Sequence, residues 1–199
     1  MTSVLLTAFK PYGPWSSNSS WLAMVELTKL IPEDLEITTR LYSVDFKSLR
    51  KQLELDLEQN FDVSLHLGQS PAVSSLQLES IGLNVAGESG QLSENFTLLD
   101  ADGPVAYRSS LPLDQWAIKL RQAGIPAHLS YYAGTYLCNA TLYWSQRIGE
   151  IRRLDTQSAF VHLPLAPSQV LSLDKDYATM SSEVAAQGIR LLLKEIEDH

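Results

Sequence analysis

Short apolar stretches alternate with amphipathic segments along most of the chain. β-Branched and aliphatic residues that end at turn-forming residues predict strands at Val4–Phe9, Glu36–Tyr42, Val63–Leu67, Ala127–Tyr131 and Ala159–Leu163. Ser74–Val85 is also predicted to be extended, and polar Gly87–Pro104 is predicted to be a loop. Apolar residues at helical spacing predict helices at Ser19 to Leu30 (closed by Pro32), Asp45 to Asn60, Pro112 to Ala123, Leu137 to Ile151 and Tyr177 to about Glu197.

The alternation of strands and helices predicts how these segments pack. Short connections between alternating elements favour a three-layer α/β/α sandwich with a mostly parallel central sheet. The 199 residues contain no repeat and no linker, so one domain over residues 1–199 is expected. Functional side chains are then expected at the carboxyl ends of the strands, where sites gather in such sheets.

Charge and cysteine content exclude several classes of protein. Fifteen Lys and Arg against 23 Asp and Glu give a net charge of −8, and no basic run is present. Neither nucleic acid nor a membrane is therefore expected as a partner. The amino terminus lacks the basic region and long apolar run of a signal peptide, and a single cysteine forms no intrachain disulfide, so a cytoplasmic protein is expected.

Common cofactor and metal motifs are absent from the chain. There is no G-x-G-x-x-G motif and no Walker loop, which argues against nucleotide binding. The four histidines, at 66, 128, 162 and 199, lack metal-ligand spacing, and His66 and His128 are expected to be core or edge residues. The segment Gly68 to Ala72 approaches a serine-hydrolase elbow but lacks its last glycine, so Ser70 is disfavoured as a nucleophile.

Cys138 occupies a setting that suits a reactive thiol. The segment A-G-T-Y-L-C-N, residues 133–139, leads from a predicted strand through a glycine turn into the first turn of a helix. Free N–H groups and the positive end of the helix dipole favour a thiolate and can bind an oxyanion there. A lone cysteine is also commonly a small buried apolar residue, and spacing alone leaves that alternative open.

A thiol hydrolase also needs a base and a group that orients the base. His162 lies near the end of a predicted strand, on the rim expected to carry Cys138. Glu79 lies in a mostly apolar stretch, where a charge is costly unless it is paired. A histidine partner would satisfy this carboxylate and would hold the imidazole in one tautomer. A solvated edge position for Glu79 remains the alternative.

Several blocks of the sequence resemble pyroglutamyl peptidase type I, a cysteine peptidase family. Thr7–Gly13 resembles the family pattern T-G-F-x-P-F-G, and Asn18 to Trp21 lies where the family has an Asn often followed by Trp. His66–Gln69 resembles V-G-Q, and Glu79 to Asn84 resembles E-R-x-A-x-N. Ser130–Asn139 resembles A-G-x-(Y/F)-(L/V)-C-N, and Phe160–Pro164 resembles F-(I/V)-H-(V/I)-P. Order and spacing agree from residue 3 to about residue 165.

The resemblance implies a phosphorylase/hydrolase-like fold and a thiol protease, often oligomeric. Such an enzyme removes an N-terminal pyroglutamyl (5-oxoproline) residue from peptides without metal or cofactor. Carried over, Cys138 is the nucleophile, His162 is the base and Glu79 orients His162. The implied partners are a peptide with a blocked N-terminus and a second copy of the chain, in a homodimer or homotetramer.

The resemblance also implies a substrate pocket. Phe9 and Tyr12 occupy the positions of two aromatic rings that sandwich the lactam. The backbone of Gln69 would bind the lactam amide, and Tyr136 and Leu137 would line the same pocket. An uncharged, aromatic pocket suits a flat, neutral five-membered ring.

The sequence departs from the family pattern at several positions. Ala8 and Pro14 replace glycines, Tyr12 replaces phenylalanine, and Ser80 replaces arginine. The family loop A-R-I-P-D-N-x-G should follow Asn84, but residues 85–90 are V-A-G-E-S-G and contain no arginine. The alternatives are a cysteine amidase or acyl-peptide hydrolase with altered specificity and a non-catalytic lactam-binding relative. A nucleoside-phosphorylase type of domain is disfavoured, because no phosphate-binding loop is visible.

Overall fold

The computed structural model describes residues 1–29, 35–88 and 90–198. The eight strands within these ranges are β1 (Thr2–Phe9), β2 (Leu35–Tyr42), β3 (Val63–Gln69), β4 (Leu76–Glu79), β5 (Ile81–Leu83), β6 (Ala106–Arg108), β7 (Ala127–Ser130) and β8 (Gln157–Leu163). The α-helices are α1 (Ser19–Leu27), α2 (Phe46–Asp56), α3 (Leu113–Gln122), α4 (Leu137–Arg152) and α5 (Ser182–Glu197). Pro32, predicted to close the first helix, lies outside the described residues.

The main sheet has six strands in the order β2-β1-β3-β8-β4-β7. Strands β2, β1, β3 and β8 pair in parallel, as do β4 and β7. The single antiparallel junction joins β4 to β8 and places Gln77 opposite His162 and Glu79 opposite Phe160. The prediction of a mostly parallel sheet is confirmed, and the antiparallel junction is a feature that the pattern did not predict.

Helices cover both faces of the sheet, which gives the predicted three layers. One buried cluster joins the sheet to α1, α3 and α5, and a second joins it to α2 and α4. Alternation along β1 assigns its residues to the two clusters: Val4 and Leu6 belong to the first, and Leu5 and Phe9 to the second. The longest helices have 16 residues, and among the described residues no helix is long and apolar enough to cross a bilayer.

The predicted extended segment Ser74–Val85 is two strands rather than one. β4 belongs to the main sheet, whereas β5 pairs with β6 in a separate two-stranded antiparallel sheet. Ser80 separates them, because its N–H and its hydroxyl both donate to Ser130 O (2.8 and 3.0 Å) while its carbonyl accepts from Ser109 N (2.8 Å). β6 lies beyond the predicted loop and has only three residues, too few for a periodic pattern.

Hydrogen bonds at helix ends explain the differences in helix boundaries. The C-terminal helix begins at Ser182 rather than Tyr177, because the Ser181 hydroxyl caps it by accepting from Val184 N. The second helix is α-helical only to Asp56 and closes with a 3-10 turn that ends at Asn60, which has a φ of 53°. These corrections shorten the predicted helices but preserve their order.

His66 joins β3 to α4 through a fully buried hydrogen-bond network. Its Nε2 lies 2.8 Å from Ser145 Oγ, and its Nδ1 lies 2.8 Å from Thr7 Oγ1. The Ser145 hydroxyl donates to Thr141 O (2.7 Å), so it must accept from Nε2–H, and Nδ1 then accepts from Thr7. Burial lowers the pKa of His66 to about 3, so the ring is neutral at physiological pH.

The buried His66 makes the fold sensitive to acid. The unfolded state binds a proton near pH 6.5 and the folded state only near pH 3, so the free energy of unfolding falls as pH decreases through this window. Between pH 7 and pH 4 the loss attributable to His66 is about 3 kcal/mol. Urea unfolding at pH 7 and pH 4 measures it, with His128→Gln, a change at an exposed histidine, as control.

The non-titrating His66→Gln variant should be less stable at pH 7 and should lose less stability than the wild type between pH 7 and pH 4. An equal loss in the two proteins would contradict the assignment of this acid sensitivity to His66.

Candidate active site

The start of α4 presents Cys138 together with unpaired backbone N–H groups. Gly134, with φ of +81°, makes the turn that leads into the helix. Tyr136 precedes the helix in an extended conformation and makes no side-chain capping bond. The first helical hydrogen bond runs from Ala140 N to Tyr136 O, so the N–H groups of residues 137–139 have no intrahelical partner. These donors and the helix dipole can stabilise negative charge on sulfur or on an oxyanion.

Gly68 leaves the space that the Cys138 thiol occupies against strand β3. A Cβ atom at this position would lie 3.0 Å from Cys138 Sγ and 2.4 Å from the Phe160 ring. Both distances are shorter than carbon and sulfur atoms normally allow. The glycine therefore lets the first turn of α4 approach β3 closely enough for the thiol to reach the neighbouring strand.

His162 lies beside the thiol and is held by Glu79. In the sheet His162 pairs with Gly68 on one side and with Gln77 on the other. Its Nδ1 lies 2.8 Å from Glu79 Oε1, and its ring packs edge-on against Phe160 at 4.9 Å. The carboxylate can only accept, so Nδ1 carries the proton and Nε2 is left for the thiol.

The electrostatics of the site favour a charged imidazole. Burial by itself lowers the pKa of His162, but the negative charge and hydrogen bond of Cys138 and those of Glu79 outweigh it and raise the pKa above its ordinary value. Glu79 is 1% exposed, and its Oε2 has no hydrogen-bond partner among the described residues. The buried carboxylate therefore depends on His162 to offset the cost of removing its charge from water. The arrangement supports a thiolate–imidazolium pair oriented by a carboxylate.

The three side chains lie in a cleft of about 1160 Å³. A small side pocket of about 30 Å³ opens beside Cys138 and is lined by Phe9, Tyr12, Asn18, Val44, Gln69, Tyr136, Leu137 and Cys138. All eight residues predicted from the sequence thus lie around one cleft and its side pocket: Glu79, Cys138 and His162, with Phe9, Tyr12, Gln69, Tyr136 and Leu137. Their individual roles remain predictions.

The other candidates have structural settings. Ser70 lines the cleft, but in the described part of the chain its hydroxyl is bonded to no histidine. His66 is a satisfied core residue and His128 lies exposed on the edge strand β7, as expected. No group of three or more His, Cys, Asp or Glu side chains that could hold a metal ion occurs in the described ranges.

Asn139 contributes to the site in a way that the sequence analysis missed. Its Oδ1 accepts from Leu83 N (2.7 Å), and its Nδ2 donates to Leu83 O (2.9 Å) and Val85 O (3.0 Å). These bonds fix the end of β5 and the chain that follows it against the first turn of α4. The position of Asn139, directly after Cys138 in a family block, was the only signal for such a role.

The divergent loop after Asn84 forms part of the cleft rim. Gly87 N donates to Thr135 O (2.8 Å), and the Thr135 hydroxyl donates to Gly87 O (3.3 Å). Glu88 follows and lines the cleft beside Tyr136. The rim therefore carries a carboxylate in the loop where the family pattern has an arginine.

Comparison with known proteins identifies similar chains over nearly the full length. A family model described as Pyroglutamyl peptidase matches residues 2–198. A pyrrolidone-carboxylate peptidase of Bacillus cytotoxicus is 32% identical over 199 residues, which cover 98% of this chain and 92% of the relative. One of Clavibacter michiganensis is 33% identical, with 94% and 89% covered.

Solved structures are similar over the same extent. Pyrrolidone carboxyl peptidase from Fervidobacterium islandicum AW-1 superposes with a TM-score of 0.92 at 28% identity, covering 100% of this chain and 99% of the other. The Thermococcus litoralis enzyme gives 0.89 at 29% identity, with 100% and 94% covered. The predicted fold class is therefore confirmed by coordinates as well as by sequence.

Gly68→Ala should impair activity and stability together. The added Cβ must displace the Phe160 ring, against which His162 packs, and it also crowds Cys138 Sγ, and such overpacking costs about 1–3 kcal/mol. We expect a slower reaction of Cys138 with iodoacetamide and a lower melting temperature. Gly149→Ala is the matched control: its Cβ would meet only Leu154 O, at 4.0 Å, so it should keep normal thiol reactivity and gain about 0.5–1 kcal/mol of stability. Wild-type thiol reactivity in Gly68→Ala would contradict the steric argument.

Glu79→Gln should shift the titration of His162. Removing the carboxylate removes one cause of the raised pKa, so the imidazolium should lose its proton at lower pH than in the wild type. The ¹⁵N chemical shifts of the His162 ring measure this directly. Turnover should fall by about 100- to 1000-fold, because the neutral amide no longer stabilises the imidazolium and its NH2 group can hold the ring in the wrong tautomer. An unchanged His162 titration would show that Glu79 does not act through this ring.

Proposed function

The chain belongs to the pyroglutamyl peptidase family of cysteine peptidases, and from this premise we propose that Cys138, His162 and Glu79 remove the N-terminal pyroglutamyl residue from peptides. One observation carries the proposal. The only cysteine of the chain lies at the start of a helix and lines the same cleft as a histidine that a buried glutamate orients.

Acylation begins from the thiolate–imidazolium pair. The Cys138 sulfur attacks the carbonyl carbon that joins the pyroglutamyl residue to the next residue. Negative charge develops on the carbonyl oxygen, and the free N–H groups at the start of α4 are suited to stabilise it. His162 donates its proton to the departing amine nitrogen as the C–N bond breaks, which leaves a thioester on Cys138.

Deacylation uses the same groups in the reverse order. Neutral His162 accepts a proton from water through Nε2 as the water oxygen attacks the thioester carbon. The C–S bond then breaks, 5-oxoproline leaves and the thiolate–imidazolium pair is restored. Throughout, Glu79 holds Nδ1–H and keeps Nε2 directed at the reacting atoms.

The side pocket supports a substrate whose amino terminus is blocked by an acyl group. It is small and is lined mainly by aromatic and aliphatic side chains, including Phe9, Tyr136 and Leu137. A flat, neutral ring fits such a lining, because the aromatic and aliphatic side chains pack against its faces. The larger cleft accommodates the rest of the peptide.

One alternative to the proposed function rests on the divergent loop after Asn84. Glu88 at the rim, in a loop without arginine, favours altered specificity, in which the same thiol chemistry acts on another N-terminal acyl group. A non-catalytic lactam-binding relative is disfavoured, since a buried carboxylate bonded to an imidazole suits proton transfer and neither residue lines the side pocket. The single thiol must stay reduced to react, which favours a reducing compartment such as the cytoplasm.

Assay of a fluorogenic pyroglutamyl amide tests the proposal. We expect hydrolysis that Cys138→Ala or prior treatment with iodoacetamide abolishes, and that Ser70→Ala retains. Because the chain has one thiol, the alkylated site is unambiguous.

A panel of acetyl, formyl and prolyl amides then measures specificity. Preference for the pyroglutamyl amide over the whole panel would exclude the alternative acyl hydrolase. Well-folded protein that fails to cleave the pyroglutamyl amide would refute the proposed function.

A further inference from the structure

Glu88 places a carboxylate on the wall of the catalytic cleft, outside the side pocket. It lines the cleft of about 1160 Å³ but is not one of the residues around the small pocket beside Cys138. Its neighbour Gly87 is bonded through both backbone groups to Thr135, just before α4 (2.8 and 3.3 Å). The loop is therefore fixed beside the start of the helix that carries the thiol. Under the proposed function the ring occupies the side pocket, so Glu88 lies on the side of the departing peptide.

The protein itself does not pair the Glu88 carboxylate. The backbone N–H of Glu88 donates to Gln91 Oε1 (2.8 Å) and its carbonyl accepts from Gln91 N (3.0 Å), which leaves the side chain outside the turn. That side chain is exposed and makes no ion pair within the described residues. Arg50 lines the cavity that adjoins the cleft at Glu88, but it pairs with Glu54 (2.8 Å) and lies 4.0 Å over the Trp144 ring. The carboxylate is therefore available to a cation on the substrate.

The negative charge of this rim acts at the junction between the cleft and the side pocket. Tyr136, the residue before α4, lines both of them. Burial is the main cause that raises the pKa of Tyr136, and the negative charges of Glu88, Asp45 and Cys138 add to it. The first residue of the departing peptide joins the acyl ring at this junction. Its side chain therefore meets the same negative charge.

Aromatic rings complete the surroundings of Glu88 in the cleft. Trp15, Tyr132 and Tyr136 line the same cleft, and the Trp15 ring is held edge-on by Tyr177 at 5.7 Å. Ring faces attract an ammonium or a guanidinium, and a carboxylate forms charge-assisted hydrogen bonds with either group. A carboxylate together with aromatic rings is thus suited to a long cationic side chain.

Lys10 is the charged residue of the cleft that would favour an anion instead. It follows β1, and its backbone is bonded to Tyr42 and to Asn18. Glu88, by contrast, is tied through Gly87 to the segment that carries the nucleophile. We therefore expect Glu88 rather than Lys10 to act on the residue next to the reacting bond.

We propose that Glu88 makes the enzyme prefer peptides in which the residue after the pyroglutamyl group is lysine or arginine. This inference rests on the proposed function and adds the class of peptide that is cleaved best. The carboxylate pairs with the ammonium or guanidinium, while the rings pack against the methylene groups. Because the ion pair is exposed to solvent, the expected gain in kcat/KM is about two- to fivefold.

Two matched peptides measure this preference. Pyroglutamyl-lysyl-alanine amide and pyroglutamyl-norleucyl-alanine amide share the same carbon chain at the residue in question, and only the first carries an ammonium. Chromatography of the released dipeptide amide gives kcat/KM for each. Glu88→Gln should lower the lysine-to-norleucine ratio about two- to fivefold. Glu94→Gln is the matched control, because Glu94 is an exposed glutamate of the same loop that lines neither the cleft nor the adjoining cavity, and it should keep the wild-type ratio.

Salt and charge reversal test the electrostatic origin of the preference. In the wild type the lysine-to-norleucine ratio should fall as NaCl rises from about 0.02 M to about 0.5 M, and in Glu88→Gln it should change less. Glu88→Lys should raise kcat/KM for pyroglutamyl-glutamyl-alanine amide relative to the glutaminyl peptide. Thermal unfolding checks that each variant folds.

The outcomes separate this inference from the proposed function. Equal ratios in the wild type and Glu88→Gln, or a ratio that salt does not change, would overturn the inference. A wild-type preference for the glutamyl over the glutaminyl peptide that Lys10→Met removes would also overturn it. Cleavage of the fluorogenic pyroglutamyl amide without discrimination between lysine and norleucine would overturn the inference and leave the proposed function intact.

A protein that cleaves no pyroglutamyl substrate would refute the proposed function, and binding then decides the inference. Each intact peptide is tested for protection of Cys138 against iodoacetamide. Stronger protection by the lysyl peptide that Glu88→Gln removes would support the role of Glu88. Equal protection by the two peptides would overturn it.

Discussion

The buried pair of Glu79 and His162 is the constraint on which the rest of the site depends. A carboxylate that is 1% exposed costs several kcal/mol unless a partner compensates it, and its one hydrogen bond within the described residues goes to the imidazole. The antiparallel junction between β4 and β8 makes the pair, since it puts Glu79 diagonally across from His162 on one face of the sheet. The sheet topology therefore sets the tautomer of the base.

The nucleophile is positioned by a different set of contacts around α4. Gly68 permits the close approach of the helix to β3, and His66 joins the same two elements through Ser145. Asn139 holds the chain after β5 against the first turn, beside Cys138. Gly68 and His66 place helix α4 on β3, and Asn139 ties its first turn to the end of β5, so the position of the thiol is fixed relative to both the sheet and the rim loop. The reactivity proposed for Cys138 therefore depends on how helix α4 packs against the sheet.

Local sequence patterns predicted many of these elements. The features that they did not predict depend on contacts between residues far apart in the chain. Periodicity and capping identify β1, β3, α2 and α4 because those signals lie within a few residues. The direction of β4 relative to β8 cannot be predicted from the alternation of apolar and polar residues, because that alternation is the same for parallel and antiparallel pairing. Gln169 and Gln69 meet across 100 residues, and nothing local to either one marks the bond. The family resemblance supplied Gln69 and Tyr12, but only the coordinates show that Gln69 Oε1 accepts hydrogen bonds from Ser19 and Gln169.

The departures from the family pattern lie in two neighbouring parts of the site. The loop after Asn84 lacks arginine and lies on the rim, where it contacts the cleft through Glu88. The side pocket is lined by Phe9 at the end of β1, by Tyr12, and by Gln69, whose orientation the start of α1 fixes through Ser19. The loop is tied to the same start of α4 that carries the pocket residues Tyr136 and Leu137, because Gly87 is bonded to Thr135 and Val85 to Asn139. Under the proposed function, a change in the loop can therefore alter the preference for the acyl group as well as for the departing peptide.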